Sequence, residues 1–143
     1  MLTKDGIKVI EYNARFGDPE AMNVLSILKS DFLSICISLV EGKLEKEEVL
    51  FDELATVCKF VVTLGYPNNP TKGFEVFCDQ NDSSLFLASV MFKNKKLIAC
   101  GSRTAAVVGK NRDIQKAEAF AEQGVSNISC LLYTSPSPRD RYI

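Results

Sequence analysis

Histidine is absent from this chain of 143 residues. Its absence removes the commonest general base near neutral pH, which favours chemistry run by charge stabilisation over chemistry run by proton shuttling. Neither sign of charge dominates. Seventeen basic residues against 18 acidic ones leave a formal charge of -1, so no global field recruits nucleic acid or an anionic membrane. Any anion has to be met locally. Long apolar runs are also missing: the longest, "FLSICISLV" at 32–40, is too short to cross a bilayer and carries two serines. No charged-then-apolar leader opens the chain, and the expectation is a cytoplasmic protein with neither membrane nor nucleic acid as partner.

The five cysteines are far apart, form no C-x-x-C pair and have no histidine to join them. That pattern argues against a zinc site and for small buried hydrophobes in a reducing compartment. There is no P-loop, no dinucleotide fingerprint and no internal repeat. What remains is 46% hydrophobic residues, enough for the core of one compact domain or two small pieces.

"GIKVIEYN" (6–13) predicts a strand, with Val9, Glu11 and Asn13 on one face and Ile10 and Tyr12 on the other. Asp18 then suits an N-cap, Pro19 the first helical position and Glu20 the positive helix end. Ala21, Val24, Leu25 and Leu28 follow at helical spacing as one apolar stripe. Ser30 or Asp31 can cap a second helix through about Glu41, with Phe32, Leu33, Cys36, Leu39 and Val40 as a broad buried face and Gly42 as its stop. The charged "GKLEKEEVLFDE" (42–53) reads either as a domain boundary or as a solvated stretch within one domain. "ATVCKFVVTL" and "SLFLASVMF" predict a strand each, "KLIACG" and "RTAAVVG" one long or two shorter strands, and "RDIQKAEAFAEQG" an amphipathic helix closed by Gly124. "GYPNNPTKG" (65–73) is a loop by composition.

Glu11 and Asn13 lie two apart on the predicted strand, so their side chains point the same way from Cα atoms roughly 6–7 Å apart. Two oxygen ligands converging there suit magnesium, which takes few protein carboxylates and completes its octahedron with phosphate oxygens and water. Arg15 adds a planar fork of donors for a phosphate or carboxylate. Pattern alone equally allows these three residues to be the solvent side of a strand, and Asp18 and Glu20 to be no more than helix-start residues.

The stretch "KVIEYNARFGDPEAMNVLSILKSDF" (8–32) resembles the end of the ATP-grasp domain in the glycinamide ribonucleotide synthetases, the phosphoribosylamine-glycine ligases. Glu-x-Asn-x-Arg is shared with other ATP-grasp enzymes, whereas Phe-Gly-Asp-Pro-Glu is distinctive of this family. The similarity continues through "SDFLSICISLVEGKL", "ATVCKFVV" with "GYP", and "GSRTAAVVG", up to about Ser129. It implies an α+β fold: a strand and two helices ending an ATP-grasp domain over 1–46, then a mostly antiparallel sheet domain with a terminal helix over 47–129. It also implies a ligase that joins glycine to 5-phosphoribosylamine through a glycyl phosphate, with ATP as co-substrate, in purine synthesis. Carried over by motif, Glu11 and Asn13 become ligands of Mg2+ or Mn2+, Arg15 the catalytic balance to the phosphate, and Asp18 and Arg103 substrate-side residues. Gly101 and Arg103 match the family's Gly-Ser-Arg, whose implied role is to line an interdomain cleft. The family's His-x-Gly-Thr segment is replaced near "FLASV" (86–90).

In that family the adenine grip, the phosphate-covering loop and the phosphate lysines precede the Glu-x-Asn strand, so the N-terminal and ATP-grasp lobes of the same enzyme are expected partners that this chain lacks. "CLLYTSPSPRD" (130–140) resembles the translation of a sequencing-library adapter, which makes 130–143 a non-native tail by expectation. The competing classes are another ATP-grasp carboxylate-amine ligase and a non-catalytic interaction module.

Overall fold

The computed structural model describes residues 1–12, 14–128 and 132–134, the last three for their backbone. The chain opens on a small antiparallel hairpin, β1 (Leu2–Thr3) and β2 (Gly6–Ile7), turned over Lys4 and Asp5. The predicted strand over 6–13 does not extend past Ile7. A strand needs a neighbour's backbone to bond: Lys8 still exchanges bonds with Met1, but among the described residues no backbone bonds to 9–12. Val9, Ile10, Glu11 and Tyr12 are all exposed, so the two faces expected of this stretch are not distinguished.

The first helix, α1 (Glu20–Leu25), is shorter than its apolar stripe, and Leu28 falls outside it in an isolated bridge to Phe51. Pro19, and not Asp18, occupies the capping position, without a side-chain cap, because the Asp18 carboxylate is engaged with Arg103. In α2 (Phe32–Val40), Asp31 caps as expected, accepting from the backbone N–H of Ser34 at 2.9 Å and from its hydroxyl at 2.7 Å. Those bonds to Ser34 hold the Asp31 carboxyl below its usual range. The face expected to be buried is not. Phe32, Leu33, Leu39 and Val40 are exposed, Val40 at 88%, because no other long element packs across them. A short 3-10 turn, Leu44–Lys46, interrupts the charged connector. Lys29 N–H donates to Leu50 and Asp52 N–H to Ile27, which ties the connector's far end back to the segment after α1.

The second half is sheet and helix. β3 (Ala55–Thr63), rich in the β-branched residues that suit a pleated surface, pairs antiparallel with β8 (Arg103–Asn111) along its length. β5 (Leu85–Leu87) adds to the free side of β8 and β9 (Leu132–Thr134) to that of β3, for the order β5-β8-β3-β9. A second sheet, ordered β4-β7-β6, joins β4 (Glu75–Val76), β7 (Lys96–Ala99) and β6 (Val90–Lys93). "SLFLASVMF" is therefore two strands in two sheets, not one. The small pair Ala88 and Ser89 makes the crossing, with Ala88 N–H bonded to Thr104 before β6 begins. The tail expected over 130–143, Cys130 included, lies almost wholly outside the described residues.

The last helix, α3 (Ile114–Ser126), is capped by Asp113, which accepts from Gln115 N–H at 2.8 Å and Lys116 N–H at 3.2 Å. Gly124 does not close it, since the helix runs two residues further. The lack of a side chain there serves packing instead: a Cβ on Gly124 would come within 2.6 Å of Val107 Cγ1. Gly109 does the same from the strand, where a Cβ would overlap the Ala117 carbonyl and lie 2.6 Å from the Ala121 nitrogen. The helix thus rests on β3 and β8, and Val61, Ala105 and Val107 beneath it share one core with Val76, Leu97 and Ala99 of the second sheet. Because strand side chains alternate, Phe60, Val62, Ala106 and Val108 point to the opposite face, where α1 packs against β3.

Gly109→Ala should cost roughly 1–3 kcal/mol of folding stability by forcing backbone apart at this contact. Urea denaturation measures it, and an unchanged midpoint would rule out the close seat.

Candidate functional site

On that opposite face the loop before α1 reaches the start of β8. Asp18 Oδ2 accepts from Arg103 Nη1 at 3.0 Å, across 85 residues of sequence. The Arg103 guanidinium also lies over the Phe60 ring, 4.9 Å from its centroid. A hydrogen bond to Tyr66 is the largest influence raising Arg103 above its ordinary pKa; partial burial opposes it and Asp18 adds to it. The arginine is therefore a fixed, permanent cation. Its pair with Asp18 is open to water, the side chains being 41% and 65% exposed, so it contributes little to stability.

Arg103 is held in place from behind. Ser89 N–H donates to the Arg103 carbonyl at 3.0 Å, and Cys100 N–H to the Ser89 carbonyl at 2.9 Å. Gly101 lets this happen, for a Cβ there would stand 2.6 Å from Ser89 Oγ. The register shift in β3 between Val61 and Val62 sets Arg103 opposite Val62. Around the pair opens a cavity of about 440 Å³, with Met22, Phe60, Tyr66, Phe86 and Ser89 among its walls. Phe86 to Ser89, within "FLASV", thus line the same space as Arg103.

Asp18 and Arg103 meet, although nothing in the spacing of the chain says so. Neither Glu11 nor Arg15 lines the cavity. Glu11 is exposed, Asn13 lies outside the described residues, and Arg15 is exposed with Nη1 donating to the carbonyl of its neighbour Phe16 at 3.1 Å. No cluster of three or more His, Cys, Asp or Glu residues capable of holding a metal occurs among the described residues. Phe60 and Tyr66 were not singled out from sequence as site residues. Tyr66 sits in "GYP", and its signal was the resemblance alone; Phe60 had none beyond strand alternation.

The description "Phosphoribosylglycinamide synthetase, C domain" belongs to a family model that matches residues 56–133, more than half of the chain. The chain belongs to this synthetase family. The match spans β3 to β8, α3 and part of β9, and runs past Cys130. A phosphoribosylamine–glycine ligase of Methanococcus maripaludis strain C5 is 51% identical over 138 residues, covering 93% of this chain and 31% of that protein. One from Methanocaldococcus jannaschii is 49% identical over 138 residues with the same coverage. The crystal structure of phosphoribosylamine–glycine ligase from Thermotoga maritima superposes with a TM-score of 0.74 at 25% identity, covering 90% of this chain and 32% of that one. The chain thus spans about a third of the length of these relatives. The expected α+β class, with antiparallel sheets and a terminal helix, is the fold of this family's C domain. No helix among the described residues is long and apolar enough to cross a membrane.

The cysteines divide in this synthetase chain. Cys100 is exposed, contrary to the expectation of buried thiols, because it sits where β7 turns away toward Gly101. Cys36, Cys58 and Cys78 are partly buried. Burial first, and then the negative charge of Asp18, pushes the Cys58 thiol up from 9.0 to about 11. The thiolate is the reactive form, so at pH 8 iodoacetamide should modify Cys58 about a hundredfold more slowly than an ordinary small thiol. Mass spectrometry of timed samples checks this, and rapid labelling of Cys58 would show that its thiol is not shielded as the partial burial implies.

Proposed function

We propose that the chain is the C-terminal part of an ATP-dependent ligase that joins glycine to 5-phosphoribosylamine, forming glycinamide ribonucleotide in purine synthesis. The carrying observation is the 51% identity over 138 residues to a protein named for that reaction, a match long enough to include both the N-terminal segment and the sheet. In the proposed route a glycine carboxylate oxygen attacks the γ-phosphorus of ATP and ADP leaves. The amine nitrogen of phosphoribosylamine then attacks the acyl carbon of glycyl phosphate, phosphate departs, and the nitrogen loses a proton.

Glu11 and Asn13 would hold Mg2+ or Mn2+. The donor set fits: a carboxylate and an amide oxygen are hard ligands, and magnesium draws its remaining ligands from phosphate and water, so a larger acidic cluster is not required. Such an ion, bound with ATP, supplies neutralisation of the triphosphate charge. Arg15, exposed and bonded only locally at Nη1, is free to turn its donors toward a phosphate or an acyl phosphate. Asp18 and Arg103 belong to the substrate side in this reading, because they share a cavity with apolar and hydroxyl-bearing walls.

Residues 1–46 complete the ATP-grasp domain and 47–129 form the sheet domain in this proposal. In this reading the lobes that grip adenine and cover the phosphates would belong to the two thirds of the relatives' length that this chain does not span. Positioning and electrostatic stabilisation carry most of such a reaction, and half a clamp supplies little of either. The chain alone should give no glycinamide ribonucleotide in a coupled ADP-release assay. In a complete ligase containing this segment, Glu11→Ala should lower kcat about a hundredfold or more while the melting temperature stays put, since an exposed acid adds little stability. Full activity of that variant would eliminate the ligand role of Glu11.

A further inference from the structure

The second sheet, ordered β4-β7-β6, ends on a strand whose outer side bonds to no other strand among the described residues. We propose that β6 (Val90–Lys93) is a docking edge for an extended peptide segment of a partner protein, one in which apolar and acidic residues alternate. Such a segment adds a fourth strand to this sheet. The proposal goes beyond the ligase reading and does not rest on it, for none of Val90 to Lys96 lines the Arg103 cavity.

The register fixes what the edge offers. β6 and β7 join through a two-residue turn in which Asn94 and Lys95 have φ of 52° and 61°, so the flanking Lys93 and Lys96 exchange both backbone bonds. Met91 and Ile98 form the next bonded pair, and Cys100 N–H donates to the Ser89 carbonyl at 2.9 Å in the same alternation. The N–H and carbonyl of Phe92 and the carbonyl of Val90 therefore point away from β7, while the Val90 N–H is taken by the Ala88 carbonyl at 3.0 Å. Side chains add selectivity. Phe92, opposite Leu97 on the inner face, is 68% exposed, and Met91, opposite Ile98 on the outer face, is exposed as well. Lys93 shares the outer face with Met91. Lys96 pairs with Glu75 at 2.6 Å, but neither Lys93 nor Lys95 has an anionic partner among the described residues. Lys95 also stands at a turn position where glycine is the less strained residue, so turn chemistry does not account for its cation. An apolar residue opposite Phe92 and carboxylates on the Lys93 face match this edge, whereas a second copy of β6 would bring lysines toward lysines.

NMR titration of the isotope-labelled 143-residue chain with a capped pentapeptide alternating glutamate and valine tests the proposal. The peptide should shift the amides of β6 and slow exchange of the Phe92 N–H, while the Met91 and Lys93 amides, already bonded to β7, keep their exchange rates. Lys93→Glu combined with Lys95→Glu should weaken the acidic peptide about tenfold, the factor for two exposed ion pairs lost. The same double variant should gain binding of a lysine-valine pentapeptide that the unaltered chain binds poorly, a gain that also demonstrates a folded variant. Methylating both valine nitrogens of the acidic peptide keeps its side chains and charge but removes the donors that face β6, and should abolish binding. The proposal is overturned by equal binding of the acidic and basic peptides, by an unchanged preference in the double variant, by undiminished binding of the methylated peptide, or by shifts confined to residues outside β6. Tighter binding of an oligothymidylate of equal length, which needs the lysines but no strand edge, also overturns it. So does concentration-dependent broadening of the β6 amides without peptide, which would give the edge to a second copy of the chain.

Discussion

Contact between the backbone of α3 and the backbone of β8 is the constraint from which the rest of the sheet domain follows. Gly109 on the strand and Gly124 on the helix remove the two side chains that would hold these elements apart, while Ala117 and Ala121 are fully buried between them. At that distance the dispersion contacts are dense and leave no room for relaxation. Lys59 closes the rim, reaching Glu122 at 2.6 Å and Glu118 at 3.3 Å. These two bonds raise its pKa against the opposing effect of its burial.

Fixing one face of β3 and β8 fixes the other, because side chains alternate across the pleat. With Val61, Ala105 and Val107 committed to the core under α3, Phe60 must look to the face where α1 arrives. The one-residue slip between Val61 and Val62 then places Arg103 against the end of β3. Both sides of the cavity follow from this. One wall comes from the sheet, at Phe60, Phe86 and Arg103, and the other from the loop and short helix around Asp18 and Met22. The cavity is thus a joint between the two portions of the chain, and its cation is borne by the more tightly packed of them.

The first 50 residues are built differently. Their elements are short, their hydrogen bonds are mostly local, and their large apolar side chains face outward, with Tyr12 at 87% exposure. Phe16 and Phe32 pair their rings at 5.7 Å. Periodicity correctly marked where α2 begins and stops, at Asp31 and Gly42, since caps and glycine turns are local events. It misjudged burial along the same helix. An apolar stripe states only that a face is able to be covered, and whether anything covers it depends on elements elsewhere in space.

From the residue order alone came the family resemblance, the α+β class, the strands at 55–63 and from 103, the terminal helix and the loop over 65–73. Each depends on neighbours within a few positions: β-branched runs, capping aspartates, prolines and glycines. Glu11, Asn13 and Arg15 were singled out for the same reason, as a short motif with fixed spacing, and neither Glu11 nor Arg15 lines the cavity. What only the tertiary structure decided was the partnership of Asp18 with Arg103, the service of Phe60 and Tyr66 to that arginine, the splitting of 84–92 between two sheets, and the use of Gly124 as a contact instead of a stop. These rest on distances between residues tens of positions apart, which pairing and packing set and local propensity does not encode.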